Sequence, residues 1–236
     1  MTQQISTQTD RLAAAHHLGT PLAVYQASVI GSNLMYTIIG ALLVGGLVVE
    51  GLSLHHWVIV FPILLILLLL WGLLESTSWV RSLRMVVCTE GLLRTYGNTT
   101  ESIRWDEIGE LWRDRWGNYA FSQADGTRFI VNHVFRHAEE LGTTIEEEVT
   151  RRMLPRLLTA YQRGETLHFG PVQLNRRGIS TSEKTLPWYE VGEIREFMGI
   201  VAIMQKAGSP WSYVPMKQIP NLCILQALIE TLLEQQ

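Results

Sequence analysis

Two histidines in HVFRH, His133 and His137, with Glu140 close behind, are the residues of this 236-residue chain best spaced to hold a divalent metal. They would share a face only if the segment were helical, and 131–135 reads instead as the end of a strand. The chain has no HExxH, no CxxC and no third ligand at usable spacing. Paired carboxylates, the raw material of general acid–base chemistry, occur at Glu107/Glu110 and again at Glu190/Glu193. Their appearance at equivalent places in two copies of one phrase favours a solvated or structural role. GNTTES at 97–102 lacks the lysine and second glycine of a phosphate loop, and no serine sits in a G-x-S-x-G elbow. The expectation is a protein without catalytic residues, metal or cofactor, and not an enzyme.

The phrase itself is the strongest signal. WDEIGEL at 105–111 returns 83 positions later as WYEVGEI at 188–194, with Trp105, Glu107, Gly109 and Glu110 repeated as Trp188, Glu190, Gly192 and Glu193. Around it the order is the same twice. VVCTEG ending at Gly91 corresponds to VQLNRRG ending at Gly178, an apolar strand pattern closed by a turn whose glycine accepts positive φ. Downstream, YAFSQADGTRFIV at 119–131 matches VAIMQKAGSPWSY at 201–213. The break in alternation at Asp106–Glu107 predicts a turn or bulge, and Trp105 and Trp188 are expected in the core, packed on a closing helix.

Each copy is expected to close with one amphipathic helix. In the first, Thr143 and Thr144 are placed to cap a helix that opens with Glu146, Glu147 and Glu148 and carries Ile145, Val149, Met153, Leu157 and Tyr161 on one face. Pro155 predicts a kink or break. In the second, Pro220 and Asn221 start a helix with Leu222, Leu225, Leu228, Ile229 and Leu232 on one side.

Two dense apolar runs, 29–52 and 57–74, are each long enough to cross roughly 30 Å of hydrocarbon as a helix. With the short connector GLSLHH between them, they predict a transmembrane helical hairpin over 29–76. Arg11, Arg81 and Arg84 flank the runs while the connector has no Lys or Arg, which places both termini in the cytoplasm of a multi-pass protein. Arg81 and Arg84 are candidates for headgroup contact at about 1 kcal/mol each. Thr37, Ala41 and Gly45 form a small-residue stripe suited to close helix packing. Past residue 76 the chain holds all but one of its 19 basic and all but three of its 22 acidic residues, a near-neutral balance that argues against nucleic-acid binding. Cys88 and Cys223, both in apolar settings, suit core positions in a reducing compartment.

The pattern of "EGL or RGI", then I-x-W-x-E-I-x-E-L, a hairpin and a closing helix, beside a two-helix anchor, resembles the bacterial pleckstrin-homology-like modules of uncharacterised membrane proteins. HFGPVQLNRRGI, LPWYEVGEI and IPNLCILQALIE carry the resemblance in the second copy. It implies an α+β fold, in which the transmembrane hairpin is followed by two tandem modules, each a small antiparallel barrel or sheet capped by a C-terminal helix. The organisation expected is an N-terminal cytoplasmic segment over 1–28, the hairpin over 29–76, and modules over 77–163 and 164–236. Relatives that bind phosphoinositides do so through several basic residues in the first hairpin. Here that turn has Arg176 and Arg177 in the second copy but only Thr89 and Glu90 in the first, so the resemblance does not imply that ligand.

The expectation is a bacterial inner-membrane scaffolding or interaction protein whose partners are the lipid bilayer and either a membrane-associated protein or another copy of itself. A lipid- or small-ligand-binding sensor and an accessory subunit of a transporter or envelope-stress complex are the alternatives.

Overall fold

The computed structural model describes residues 7–28, 82–123, 128–132 and 134–235. These residues divide into two compact units, one holding those up to Ser102 together with 134–136, the other holding the rest.

The first unit begins with helix α1 (Thr7–Ala15) and four strands in the order β1 (Pro21–Gln26), β2 (Arg84–Cys88), β3 (Gly91–Tyr96) and β4 (Thr99–Arg104), the last running on into the second unit at Ile103. β2 and β3 are almost continuously apolar on their buried residues, and a tight turn at Thr89–Glu90 joins them through the Cys88–Gly91 pair. Ala13 and Leu18 pack with Val86, Cys88 and Leu93, which fastens α1 to the sheet. Pro21–Gln26 belongs to a stretch whose polar composition reads as lying outside any module, yet it pairs antiparallel with β2 from Pro21↔Cys88 to Gln26↔Arg84. The Ala27 N–H donates to the Leu83 carbonyl at 3.1 Å, so the chain leaves after β1 and rejoins β2 at one point.

The second unit opens with a single-turn 3-10 helix at Trp105–Glu107 and the sheet β5 (Ile108–Arg113), β6 (Tyr119–Gln123), β7 (Arg128–Val131). Helix α2 (Ala138–Gln162) follows. Then come β8 (Leu167–Phe169), β9 (Val172–Asn175), β10 (Gly178–Ser180) and β11 (Thr185–Pro187) in one sheet, and a second 3-10 turn at Trp188–Glu190. The sheet of β12 (Val191–Phe197), β13 (Ile200–Gln205) and β14 (Pro210–Pro215) is followed by a 3-10 turn and helix α3 (Leu222–Glu234). Along the chain, therefore, four strands, a tryptophan-led turn, three strands and a helix occur twice.

The two tryptophans open equivalent turns but are held differently. Trp105 is fully buried, with the Arg152 guanidinium of α2 6.0 Å from its ring centroid. Trp188 donates its indole N–H to the Asn175 carbonyl at 2.8 Å and meets Tyr161, also of α2, edge-on at 6.2 Å. The long helix thus packs on both tryptophans: its early residues Leu141, Ile145 and Val149 are buried, and its last turn reaches Trp188. In α3, Leu222, Leu225, Leu228, Ile229 and Leu232 are all buried.

Several expectations are corrected. The architecture among the described residues is mostly β, with four small antiparallel sheets and three α-helices, rather than an α+β protein led by a transmembrane hairpin. No described helix is long and apolar enough to cross a membrane. Helix α2 has the length, but its glutamates and arginines are spread along it, and α3 with 13 residues spans only about 20 Å. The membrane and transmembrane assignment, and with it the placement as a multi-pass protein of the bacterial inner membrane with both termini cytoplasmic, falls with that finding. The two apolar runs of 29–74, along with Thr37, Ala41, Gly45 and Arg81, lie outside the described residues.

Helix α2 starts five residues before Thr143, after His137 in a left-handed conformation. Thr143 and Thr144 are interior, and their hydroxyls donate back to the Glu139 and Glu140 carbonyls at 3.0 and 2.9 Å, the alternative to capping open to a helical threonine. Gly142 sits in this stretch because the Tyr119 ring occupies the place of its side chain: a Cβ there would fall 2.0 Å from Tyr119 Cε2. Pro155 does not end the helix, which continues to Gln162.

The signature glycines separate the two copies by test. A Cβ on Gly192 would lie 2.8 Å from the Gln205 carbonyl oxygen, whereas the nearest atom to one on Gly109 is 3.8 Å away. Gly192→Ala is expected to destabilise by about 1–3 kcal/mol through forced backbone movement. Gly109→Ala should be neutral or stabilising by up to about 1 kcal/mol, because it removes backbone freedom from the unfolded chain. Urea unfolding midpoints of the two variants check this, and equal losses would refute it.

Candidate interaction surface

Strands β12 and β13 are joined by two residues, Met198 and Gly199, with φ of 49° and 81°, and Phe197 pairs with Ile200 across the turn. Two successive positive φ values mark the turn whose twist suits a two-residue hairpin, normally built from Asn-Gly or Asp-Gly. Methionine in the first place costs roughly 1–2 kcal/mol of left-handed backbone strain. Its side chain nevertheless points into solvent, 78% exposed, where it gains nothing from the core.

Strand alternation then dictates what surrounds it. Val201 and Val214 face inward and are buried, so Arg195, Ala202 and Tyr213 form one cross-strand row on the outer face, and Phe197, Ile200 and Pro215 form the next. Phe197 is 71% and Tyr213 66% exposed, and Ile200 and Pro215 are exposed as well. Beside the turn lies the Asp114–Asn118 loop of the β5–β6 hairpin, since a Cβ on Gly199 would come within 2.8 Å of Arg115 Cβ. Asp114 shapes that loop by accepting from the backbone N–H groups of Trp116 and Asn118 at 2.7 and 3.0 Å, which leaves Trp116 71% exposed under the Arg115 guanidinium. Two adjacent hairpin tips thus present Trp116, Phe197, Met198 and Ile200 to solvent, with Tyr213 on β14 in the next outer row, a concentration of large apolar side chains of the kind that marks interaction surfaces.

Behind the tips is a partly buried polar cluster. The Arg113 guanidinium donates to Glu196 and approaches Glu146 Oε1 at 3.5 Å, and it is hydrogen-bonded to the Tyr119 hydroxyl. Glu196 also accepts from Gln226 Nε2 of α3 at 2.9 Å. Burial raises the Glu146 carboxyl above its ordinary value; Arg113 opposes the shift and the Glu196 charge adds to it. For Arg113, burial is the largest effect and works to lower its pKa, but Glu146, Glu196 and Tyr119 together outweigh it, so the guanidinium stays charged. Burial likewise pushes up the Tyr119 hydroxyl. Further along β5, Asn221 donates its backbone N–H to the Leu111 carbonyl at 2.7 Å, accepts the Leu111 N–H on Oδ1 at 2.8 Å, and donates Nδ2 to the Gly109 carbonyl at 3.2 Å.

The residues singled out in the sequence do not converge. Glu107 bonds the Arg104 N–H at 3.1 Å and Gln123 Nε2 at 2.7 Å, a local clamp on the 3-10 turn. Glu193 pairs with Arg195, Glu110 lies within β5, and Glu190 ends the second 3-10 turn. His137 and Glu140 stand 4.0 Å apart, both about two-thirds exposed, and His133 lies outside the described residues. Among the described residues no group of three side chains is placed to hold a metal. Arg84 is exposed at the start of β2. Arg176 donates to the Gln162 carbonyl at 2.6 Å. Cys88, buried in the first unit, is a thiol outside any disulfide, pushed up to about 11 by burial, and Cys223 likewise forms no disulfide. The surface residues Phe197, Met198 and Tyr213 escaped notice in the sequence. Their signal was present: EIREF puts Phe197 in phase with Glu193 and Arg195, the solvent side of its strand.

Because the Glu146 carboxyl is raised above its unfolded value, the stability it contributes is fully present below the ordinary carboxylate range and is lost as pH rises through the raised value. Glu146→Gln removes this dependence. Thermal melts should find the variant at least as stable as wild type at pH 7, with the wild type gaining on it as pH falls to 4; a wild-type advantage largest at pH 7 would refute the assignment.

No curated protein matches the chain, and neither does any solved structure. One family model does, over residues 1–236. The chain belongs to that family, a family of unknown function (DUF6585).

Proposed function

We propose that this chain is a non-catalytic interaction or scaffolding protein made of two pleckstrin-homology-like modules, and that it engages other protein through the outer face of β12–β14. The twofold succession of four strands, a tryptophan turn, three strands and a helix supports the module reading. The observation that carries the function is the exposed apolar group at the two hairpin tips, above all Met198, held in a strained turn with its side chain in water. Strain kept at a surface position without any packing return is a mark of a functional site.

The partner this face fits is another copy of the chain. Its charges nearly cancel within the molecule, Arg195 against Glu193 and the two carboxylates Glu146 and Glu196 against Arg113 and the nearby Arg115, so no net field selects an oppositely charged partner. An apolar patch rimmed by paired charges is self-complementary, as a twofold contact requires.

Sedimentation velocity over a concentration series tests the proposal. The wild-type chain should show reversible self-association, and Phe197→Ser with Tyr213→Ser should weaken it at least tenfold, about 1.4 kcal/mol, while leaving the unfolding midpoint unchanged. A wild-type chain that sediments as the double variant does at every concentration overturns this reading.

A further inference from the structure

In the first copy, β5 has hydrogen-bonding groups turned away from its neighbour β6. The loop is closed by the Asp114 N–H on the Asn118 carbonyl at 3.0 Å, and pairs alternate from there between bonded and non-bonded, which makes Leu111↔Phe121 a non-bonded pair. The Leu111 N–H and C=O therefore face outward. Asn221 satisfies both, and Gly109 as well, by placing one backbone N–H and one side-chain amide where a neighbouring strand would offer peptide groups.

The second copy repeats this edge. Its two-residue turn makes Phe197↔Ile200 a bonded pair, so Arg195↔Ala202 is bonded and Ile194↔Ile203 is not. The Ile194 N–H and C=O consequently point away from β13, as those of Leu111 point away from β6. Gly192 and Ile194 hold the places of Gly109 and Leu111 in the repeated phrase. Among the described residues, no group outside the β12–β14 sheet hydrogen-bonds either of them. Along β12, Ile194 is half-buried and its neighbours Glu193 and Arg195 are exposed.

We infer that the β12 edge at Gly192 and Ile194 is a docking site for a protein segment bearing an asparagine in a left-handed turn at the start of a helix. The occupant's chemistry is set by the group that fills the equivalent place. Asn221 has φ of 54°, which turns its N–H and its side-chain amide toward one strand, and Ile219, Pro220 and Leu222 beside it are buried. The partner segment is accordingly an apolar–Pro–Asn–apolar sequence leading into an amphipathic helix. Aspartate would keep the acceptor but lose the Nδ2 donor, and alanine would lose both. Recognition of this kind uses the main chain of an exposed sheet edge for affinity and the flanking side chains for selectivity. The chain's own Asn221 is engaged on β5, so the segment comes from a partner protein. This edge does not depend on the apolar face of the sheet, and the two readings fail separately.

The test is amide NMR of the full ¹⁵N-labelled chain titrated with a synthetic peptide that copies residues 216–235. The expected result is a saturable downfield shift of the Ile194 amide with Leu111 unmoved, at least tenfold weaker binding of the same peptide carrying Asn221→Ala, and no binding to a chain carrying Ile194→Pro. Proline there removes only an outward N–H, and circular dichroism verifies that the sheet persists. Phe197→Ser should leave the titration unchanged. No shift at Ile194, a shift at Leu111 in its place, or equal binding of the alanine peptide would overturn the inference.

Discussion

A strand edge enclosed by its own chain must find partners for peptide groups that its sheet does not use, and at β5 that requirement is met by one residue. Asn221 binds three peptide groups of Gly109 and Leu111, one of them with its backbone and two with its side chain. The left-handed backbone at Asn221, tolerated by asparagine better than by most residues, is what allows the next residue to begin a helix directly. The start of α3 is thereby pinned to β5, and a helix pinned at its start has its apolar face aimed. Leu225, Leu228 and Ile229 then bury without further instruction, and Gln226 falls where it can reach Glu196.

Glu196 ties the polar cluster into the same arrangement. It comes from β12, Arg113 from β5, Glu146 from α2 and Gln226 from α3, so one guanidinium and two carboxylates are shared by four elements. Two carboxylates around one arginine carry a net negative charge in a half-buried place. Removing the arginine would leave both without a counter-charge, whereas neutralising one of them relieves the other. The electrostatics therefore hold the elements in register rather than adding much stability.

The two copies of the phrase are not followed by equal helices. The helix that closes the first copy has 25 residues and that of the second has 13. The extra turns of α2 carry Tyr161 to Trp188, so this tryptophan meets the helix of the first copy edge-on. The two edges differ as well, since Asn221 occupies one and, among the described residues, has no counterpart on the other.

Much of this was legible locally. Alternation, the glycine turns at 91 and 178 and the tryptophan phrase read directly as short strands around a turn, because strand period and turn chemistry are properties of neighbouring residues. The site was legible only in part: the phase of Phe197 and Tyr213 pointed outward, but nothing in the letters said that Trp116 would stand beside them. The start of α2 was misread because threonine serves a cap and a helix interior with the same hydroxyl, and only the path of the chain before it decides which. Strand β1 was missed altogether, since its partner β2 lies beyond residues 29–81 and pairing across such a separation leaves no local pattern. By itself, then, the sequence determined the strands around each tryptophan turn and the buried faces of the two closing helices, through contacts between residues close along the chain. Only the tertiary structure decided that the first copy's helix reaches Trp188 and that Asn221 fills the β5 edge, because partners distant in sequence are chosen by space, and space is shared unequally between the two copies.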